Sequence, residues 1–232
     1  MDGVKLMNRT ETKFAFHLTK LSHVLNELKQ NYRVLEIEGK RISRYESLYF
    51  DTDNFDLYTQ HHNGKLNRYK IRQRNYVESG TSFFEIKFKN NKGRTLKNRI
   101  QEELTDELNT GAKPKFLNKH SPFSVKDLKK VLWINYGRIT LVNKYKPERL
   151  TIDTGLEFIK GNEKSGFNGL VIAELKQESK TDSPFINLMK ELRIREGSLS
   201  KYCMGIGNTY SEAKKNNFKH RLSQLKQYIY AN

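Results

Sequence analysis

The stretch from Lys65 to Lys89, KLNRYKIRQRNYVESGTSFFEIKFK, carries charged side chains at every second position. Successive side chains of a β-strand point to opposite faces, so residues two apart share a face. The charged residues that would share one face are Arg68, Lys70, Arg72 and Arg74 in a first strand and Glu85, Lys87 and Lys89 in a second. The stretch therefore predicts a hairpin with one basic face, and such a face suits a polyanion.

A carboxylate two residues before a lysine recurs along the chain. The pairs are Glu11 and Lys13, Glu85 and Lys87, and Glu174 and Lys176. Arginine forms bidentate bonds with phosphate oxygens and lysine acts as a point charge, whereas glutamate oxygens suit Mg²⁺ or Mn²⁺. Phosphoryl transfer needs mainly positioning, charge stabilisation and a bridging metal ion, so this set of residues favours chemistry on a triphosphate.

Motifs for several other chemistries are absent from the sequence. There is no GxxxxGK[ST] phosphate-binding loop and no pattern typical of a Ser-His-Asp or Cys-His enzyme. Cys203 is the single cysteine, so no internal disulfide can form. His61 and His62 are adjacent, and adjacent residues on a helix do not face one another, so we do not expect them to bind a metal together.

The composition is that of a folded, basic protein. The 232 residues carry a formal net charge of +17 and include 13 Phe and 12 Tyr, which argue against disorder. No apolar run approaches the ~20 residues of a membrane span, and we expect a cytoplasmic protein. Nucleic acid is not an expected partner, because the aromatic residues of the basic hairpin lie mostly opposite its arginines and offer no stacking surface between them.

Periodicity predicts a single α+β domain over residues 1–232. The predicted strands are Arg9–Phe16, Ser43–Asp51, the two strands of the hairpin, Arg94–Leu104, Arg138–Lys144, Arg149–Leu156 and Leu170–Gln177. Helices are predicted to begin after Thr19, at Phe55, near Ser121 to Ser124 and at Ser183–Pro184, and a further helix is predicted at the C-terminus. The apolar stripe of the helix near Ser121 to Ser124 would consist of Val125, Leu128, Val131 and Leu132. That of the C-terminal helix would consist of Phe218, Leu222, Leu225 and Ile229.

Two architectures accommodate strands with one apolar and one charged face. In an ordinary one-sided sheet the charged face is solvated. In an antiparallel sheet closed into a barrel, the same faces point inward and line a cationic lumen. The charged faces are rich in Arg and poor in Ser, Thr and Asn, so we expect the closed barrel, with helices packed outside.

The chain resembles the VTC domain, the polyphosphate polymerase branch of the triphosphate tunnel (CYTH-like) superfamily, in its stand-alone bacterial form. The resemblance lies in nine segments that follow the family's order: RTETKF (9–14), SLYFDT (47–52), GKLNRYKIRQR (64–74), FFEIKFK (83–89), GRTLKNR (93–99), YGR (136–138), ERLTIDTGL (148–156), AELK (173–176) and LSKY (199–202). Each segment is weak alone, but nine in order are specific.

This resemblance implies an antiparallel barrel around a basic tunnel, in which the γ-phosphate of ATP is transferred to a growing polyphosphate chain and ADP is released. It implies a divalent cofactor, Mn²⁺ or Mg²⁺. The residues that would grip phosphates are Lys13, Arg72, Arg74, Lys87, Lys97, Arg138 and Arg149. By the same resemblance, Glu174 would hold the metal ion, Ser200 and Lys201 would bind phosphate near one mouth, and Tyr136 would lie next to the nucleotide.

Tunnel triphosphatases carry Glu-x-Glu-x-Lys in the first strand, and here the first position is Arg9. This departure favours the polymerase over a triphosphatase or nucleoside triphosphatase. A polyphosphate- or nucleotide-binding module without activity is the other alternative. Eukaryotic relatives add a phosphate-sensing module and membrane helices, so delivery of polymer across a membrane would need a separate membrane protein as partner, at the inner face of that membrane.

Overall fold

One antiparallel sheet carries most of the chain in the computed structural model, which describes residues 10–179, 181–219 and 223–224. The strands are β1 (Thr10–His17), β2 (Tyr32–Val34), β3 (Ser43–Asp51), β4 (Arg68–Tyr76), β5 (Thr81–Lys89), β6 (Thr95–Gln101), β7 (Lys129–Asn143), β8 (Glu148–Lys160), β9 (Glu163–Phe167) and β10 (Leu170–Gln177). The α-helices are α1 (Leu21–Leu28), α2 (Asp56–His62), α3 (Lys113–His120), α4 (Pro184–Glu191) and α5 (Lys201–Thr209).

The sheet is open, and the prediction of a closed barrel is wrong. Its strands follow the order β1-β10-β8-β7-β3-β4-β5-β6, with β2 pairing β7 and β9 pairing β8 at the sides. Within the described residues β1 and β6 do not pair with each other. Alternating charge predicts which side chains share a face, but closure depends on the meeting of two edge strands that are some eighty residues apart in sequence.

The basic hairpin forms as predicted. Its register pairs Arg68 with Lys89 at the open end and Tyr76 with Thr81 at the turn. Ile71 and Ile86 are both fully buried on the face opposite the charges. Alternation along these two strands therefore separates a charged face from an apolar one, as the sequence predicts.

Two hydrophobic clusters cover the outer face of the sheet. The first packs α1 and α4, through residues such as Val24 and Met189, against Phe14 and Ala173 of β1 and β10. The second cluster packs Leu57 of α2 and Leu117 of α3 against the outer side chains of β3, β4 and β5. These four helices bury the apolar face of the sheet, and this part of the prediction is confirmed.

Helix α5 lies on the inner side of the sheet, so helices do not pack only on the outside. Its residues Tyr202, Met204 and Ile206 share a cluster with Tyr49 of β3 and Ile172 of β10. Tyr49, Ile172 and Tyr202 also line the cavity on the inner face. The helix therefore fills one part of the concave side with apolar contacts and leaves the charged part of that side open.

Asp51, at the end of β3, fixes where α2 and α5 meet the sheet. Its carboxylate accepts hydrogen bonds from the backbone N–H groups of Leu57 (2.8 Å) and Tyr58 (2.9 Å), in the first turn of α2. The hydroxyl of Tyr202 in α5 donates to the same carboxylate. Asp51 is thus the junction at which β3, α2 and α5 meet.

The predicted helix through Val125, Leu128, Val131 and Leu132 is wrong. Val125–Asp127 is one turn of 3₁₀ helix, and Lys129 already begins the 15-residue strand β7. The helical spacing of these apolar residues combines the end of one element with the start of another. Arg9 and the predicted C-terminal helix beyond Lys219 lie outside the described residues, apart from residues 223–224.

A short stretch, residues 196–201, spans part of the distance between the two edges of the sheet, and we call it the crossing segment. At its start, Glu196 bridges Phe14 on the free edge of β1, and the N–H of Gly197 donates to the carbonyl of Lys13 (2.8 Å). At its far end, Lys70 Nζ of β4 donates to Ser200 Oγ (2.9 Å). The crossing segment therefore connects β1 to β4 over the concave side.

Within the residues that the structure describes, none of the helices has both the length and the apolar character needed to span a membrane.

Candidate phosphate-binding site

The concave face of the sheet encloses a cavity of about 410 Å³, which we call the main cavity. Nine of the residues predicted for the site line it: Lys13, Arg72, Arg74, Lys87, Tyr136, Arg138, Glu174, Ser200 and Lys201. Ten Lys or Arg side chains line the cavity, against the two carboxylates of Glu11 and Glu174 among the described lining residues. The inner face of the sheet therefore forms a concave, strongly cationic site.

Arg72 of β4 is held at the base of the cavity by Glu85 of β5. Its Nε and Nη2 atoms donate to Glu85 Oε2 (2.8 and 2.6 Å), and Nη1 donates to the hydroxyl of Tyr49 (2.8 Å). Lys97 of β6 forms an ion pair with the other carboxylate oxygen. Burial alone would raise the pKa of Glu85, but Arg72, Arg74 and Lys97 hold that pKa well below its usual range. Glu85 is therefore an internal ion-pair partner of Arg72 and Lys97.

Arg74 and Arg138 enclose a pair of stacked tyrosines. The rings of Tyr45 and Tyr136 lie 5.2 Å apart and nearly parallel, at 10°. Arg74 Nη2 donates to the Tyr136 hydroxyl (3.0 Å), and its guanidinium lies 5.4 Å from the Tyr45 ring centroid. The Arg138 guanidinium lies 4.8 Å from the Tyr45 centroid. Aromatic faces attract cations, so this stack fixes both guanidiniums without neutralising them.

Asp153 of β8 is a functional candidate that the sequence prediction missed. It is buried, and its oxygens accept hydrogen bonds from Arg138 Nε (2.6 Å) and Nη2 (2.8 Å). Lys201 Nζ, at the start of α5, donates to the same carboxylate. Burial would raise the pKa of Asp153, but Lys201 and Arg138 lower it, so the carboxylate is ionised and holds two cations predicted to bind phosphate.

Two lysines in the middle of the basic face lie among other cations. Lys70 and Lys87 are register partners on β4 and β5. Repulsion from Arg72, together with burial, holds the pKa of Lys87 well below its usual value. Burial is the main cause that lowers the pKa of Lys70. A bound anion would favour the charged form and so raise the pKa of both ammonium groups.

Glu174 of β10 lies between two lysines on the inner face. Lys176 Nζ forms a close ion pair with one oxygen, and Lys13 Nζ lies 3.5 Å from the other. Burial opposes ionisation, but Lys176 and Lys13 outweigh it and hold the pKa of Glu174 well below its usual range. Glu11 pairs with Lys13 (2.7 Å) on the neighbouring strand. This corner of the cavity therefore offers ionised carboxylate oxygens next to cations.

A divalent metal fits this corner only with help from a bound anion. Among the described residues, no group of three or more His, Cys, Asp or Glu side chains is arranged to hold a metal ion. Mg²⁺ is often bound by one or two carboxylates and completed by substrate phosphates and water, and Mn²⁺ prefers similar oxygen ligands. Glu174, with Glu11 nearby, can supply that protein share. The donor set matches a hard cation brought in with a triphosphate.

Two predicted phosphate ligands lie outside the lining of the main cavity. Lys97, on the edge strand β6, reaches inward only to Glu85. Arg149 is exposed at the start of β8, where its register partner is Lys176 of β10. His61 does line the cavity, and its Nε2 lies 3.1 Å from the carbonyl oxygen of Tyr69. Burial, Lys70 and Arg68 lower the pKa of His61 to about 3, so its ring is neutral at neutral pH.

Comparison with known proteins identifies a family for the chain and solved structures with a similar fold. The family model described as the VTC domain matches residues 8–210. No curated protein matches the chain significantly. Among solved structures, the chain is similar to a candidate adenylate cyclase from Bacillus halodurans, with 15% identity and a TM-score of 0.56 over 88% of this chain and 98% of that one.

Two further solved structures are similar at the same level. A candidate adenylate cyclase from Vibrio parahaemolyticus is 12% identical, with a TM-score of 0.52 over 83% of this chain and 95% of that one. A candidate adenylyl cyclase from Hippeastrum, described with a dominant triphosphatase activity, is 14% identical, with a TM-score of 0.51 over 88% and 98%. At these identities the likeness concerns the fold, and it agrees with the tunnel fold that the motifs predict.

Proposed function

The chain belongs to the VTC domain family, as its motifs predict, and we propose that it is a metal-dependent polyphosphate polymerase. In this proposal the substrates are ATP and a polyphosphate chain. An oxygen of the terminal phosphate of that chain attacks the γ-phosphorus of ATP. A new P–O–P bond forms, the bond between the γ-phosphorus and the β,γ-bridging oxygen breaks, and ADP leaves with that oxygen. The protein itself forms no covalent bond in this step.

The single observation that carries the proposal is the concentration of cations around one concave cavity. Ten Lys or Arg side chains line about 410 Å³ of space, and the described lining contains two carboxylates. A triphosphate carries about four negative charges, and stabilising them in a partly desolvated site is the main task in phosphoryl transfer. On a solvated one-sided sheet, gathering so many like charges around one cavity would only add repulsion between them.

The residues divide this task by their fixed positions. Arg72 and Arg74 are anchored by Glu85 and Tyr136, so their guanidiniums can hold phosphate oxygens without first being ordered. A bound anion would offset the repulsion from Arg72 that, together with burial, lowers the pKa of Lys87, and would so raise that pKa. Glu174 would hold Mn²⁺ or Mg²⁺, which would supply stabilisation of the negative charge on a bound triphosphate. Arg138 and Lys201, joined by Asp153, lie beside the ring of Tyr136 and would hold further phosphate oxygens.

Purified protein incubated with ATP and Mn²⁺ tests the proposal. We expect ADP together with long-chain polyphosphate, and we expect Arg72→Ala to lower turnover by about 100-fold or more, as when a preorganised charge-stabilising group is removed. Lys119→Ala, on the exposed side of α3, serves as the control and should be as active as the unmodified protein. ADP release without any polymer would overturn the polymerase.

A tunnel triphosphatase is the second candidate function. The observation that favours it is the shared fold with the Hippeastrum protein and its triphosphatase activity. Product analysis separates the two candidates, because a hydrolase converts tripolyphosphate or ATP to orthophosphate and makes no polymer. Tight binding of tripolyphosphate without ADP release or orthophosphate would identify instead a binding module, the third possibility that the motifs allow.

A polymerase of this kind releases a long polyanion, and the proposal extends to where that product goes. In this extension, a membrane protein receives the chain at the cytoplasmic face and delivers it across the membrane. Co-purification of such a partner from cells of the source organism, followed by detection of polymer on the far side of reconstituted vesicles, tests this extension. Polymer that stays on the side of the enzyme in the presence of the partner would overturn it.

A further inference from the structure

A second cavity, of about 520 Å³, lies at the free edge of β1, and we call it the edge cavity. Its wall consists of residues 15–17 and Lys20 on one side and residues 192–195, which follow α4, on the other. The basic residues of this wall are His17, Lys20, Arg193 and Arg195. Neither Asp nor Glu contributes to the lining among the residues that the structure describes.

The cations of the edge cavity differ from those of the main cavity in their pairing. Arg72, Arg138 and Lys201 are held by buried carboxylates. Lys20, Arg193 and Arg195 take part in none of the ion pairs formed within residues 10–179, 181–219 and 223–224. Three unpaired charges around one concavity repel one another, and an anion bound between them would remove this repulsion.

Arg193 also holds an unusual backbone conformation. It directly follows the C-cap of α4 with φ of 55°, in the left-handed region where glycine is usual at helix ends. The N–H of Ile194 donates to the carbonyl of Met189 (2.8 Å), which closes this helix end. An arginine at a position suited to glycine is unfavourable for the fold, and such unfavourable positions concentrate where ligands bind.

The edge cavity and the main cavity are both lined by residues of β1. Lys13, Ala15 and His17 lie on the same face of β1, because β1 pairs with β10 without a bulge. Lys13 lines the main cavity and His17 lines the edge cavity, ~13 Å further along the strand. Arg195 leads directly into the crossing segment, residues 196–201, and residues 198–201 of that segment line the main cavity.

We propose that the edge cavity binds polyphosphate, as a second site for a chain whose other part lies in the main cavity. This inference rests on the proposed function and specifies it further. The ligand is a linear phosphate polymer too long for the main cavity alone, held outside that cavity by Arg193, Arg195 and Lys20. A short triphosphate that fills the main cavity would not reach the edge cavity.

Titration calorimetry on the full chain tests this inference, with long-chain polyphosphate and tripolyphosphate as probes. The test variant is Arg193→Gly with Arg195→Ala, and the control is Lys115→Ala with Lys119→Ala. The control removes the same number of charges from the exposed side of α3. We expect the test variant to bind long-chain polyphosphate about tenfold more weakly, because contacts between charged groups are lost. Its affinity for tripolyphosphate should stay within about twofold, as for changes in distant surface charge.

The test variant is designed to fold. Glycine suits the positive φ of residue 193, and Arg195 is exposed, so the melting temperature should not fall. Arg195→Ala alone provides a second variant, with a smaller loss in the same direction. Unchanged affinity of both variants for long-chain polyphosphate would overturn the inference, and so would an equal loss in the α3 control, which would reveal a general effect of charge.

Failure of the proposed function would be visible separately. The calorimetric measurement needs no turnover, so a site for long chains can be detected in a protein that makes no polymer. Conversely, a wild-type protein that converts ATP to polymer, together with an edge-cavity variant of unchanged affinity, would leave the polymerase intact and remove only the second site. Vesicles of anionic lipid complete the comparison. If the changes at Arg193 and Arg195 weaken binding to these vesicles but leave the affinity for long-chain polyphosphate unchanged, the inference is also overturned.

Discussion

Arg72 and Glu85 form an ion pair beneath the main cavity, with the carboxylate completely buried and the guanidinium nearly so. The two residues are register partners on β4 and β5, so the backbone pairing itself places their side chains side by side. The carboxylate orders Arg72 and disperses its charge, yet the cavity remains strongly cationic. The same pair therefore stabilises the sheet and fixes the position of a cation of the site.

Replacing one member of this pair should lower the stability of the fold more than replacing both members together. Arg72→Met leaves the buried Glu85 with Lys97 as its remaining ion-pair partner, and we expect a loss of about 3 kcal/mol in the free energy of unfolding. Changing both residues to Met should cost clearly less than the sum of the two single changes. Denaturant unfolding of the four proteins in the cycle measures the coupling. Additive single changes would contradict this account of the pair.

Asp153→Asn should separate positioning from binding. The amide keeps the shape of the side chain but no longer holds the charges of Arg138 and Lys201 in place. Because the cavity becomes more positive, we expect KM for ATP to stay the same or fall, while kcat falls by about tenfold or more through lost alignment. Steady-state kinetics measure the two parameters. Glu157→Gln, further along the same strand and partly exposed, is the matched control, and a rise in KM at constant kcat would contradict the prediction.

Lys97 should take up a proton when a triphosphate binds. Burial is the main cause that lowers its pKa, to about 8, and Arg72 and Arg74 add to this effect while Glu85 opposes it. A bound anion favours the charged ammonium, so near pH 8 binding should raise the pKa and draw protons from the buffer. Calorimetry of tripolyphosphate binding in buffers with different ionisation enthalpies measures the uptake. Lys97→Met should reduce it, and equal uptake by both proteins would exclude Lys97 as the source.

His61 should make the protein sensitive to acid. Its pKa is lowered from 6.5 to about 3, so below pH ~6.5 the unfolded chain binds a proton that the folded chain does not. The contribution of His61 to stability is therefore complete above pH ~6.5. It falls by up to ~1.4 kcal/mol per pH unit as the pH decreases toward ~3. Unfolding free energies across this range test the slope. His61→Asn should flatten it, whereas the exposed His23→Asn should leave it unchanged.

The charged face of the sheet could be predicted because it depends on alternation within single strands. Arg72, Arg74 and Lys87 lie at every second position of long strands, and each lines the main cavity. Glu85 followed from the same alternation, since it shares a face with Lys87. Local patterns of this kind need no knowledge of which strands are neighbours.

The features that the sequence did not reveal depend on which strands lie side by side. Asp153 meets Arg138 because β7 and β8 pair in that register, beyond a shift near Gly137. The opening between β1 and β6 and the inner position of α5 also follow from long-range packing. The wrongly predicted helix around Val131 is an error of another kind. There, a helical spacing of three residues arises by chance across the boundary between two elements.

The crossing segment has a consequence for how a polymer is loaded. A polymer that passes through a closed barrel can enter or leave only by one of its ends, whatever its length. Here the enclosure is completed on one side by residues 196–201, which are joined to β1 and β4 by contacts such as the Gly197–Lys13 and Lys70–Ser200 hydrogen bonds. Each such bond contributes about 1 kcal/mol. Under the proposed function, a long chain would enter from the side when these contacts open, and not only by one of its ends.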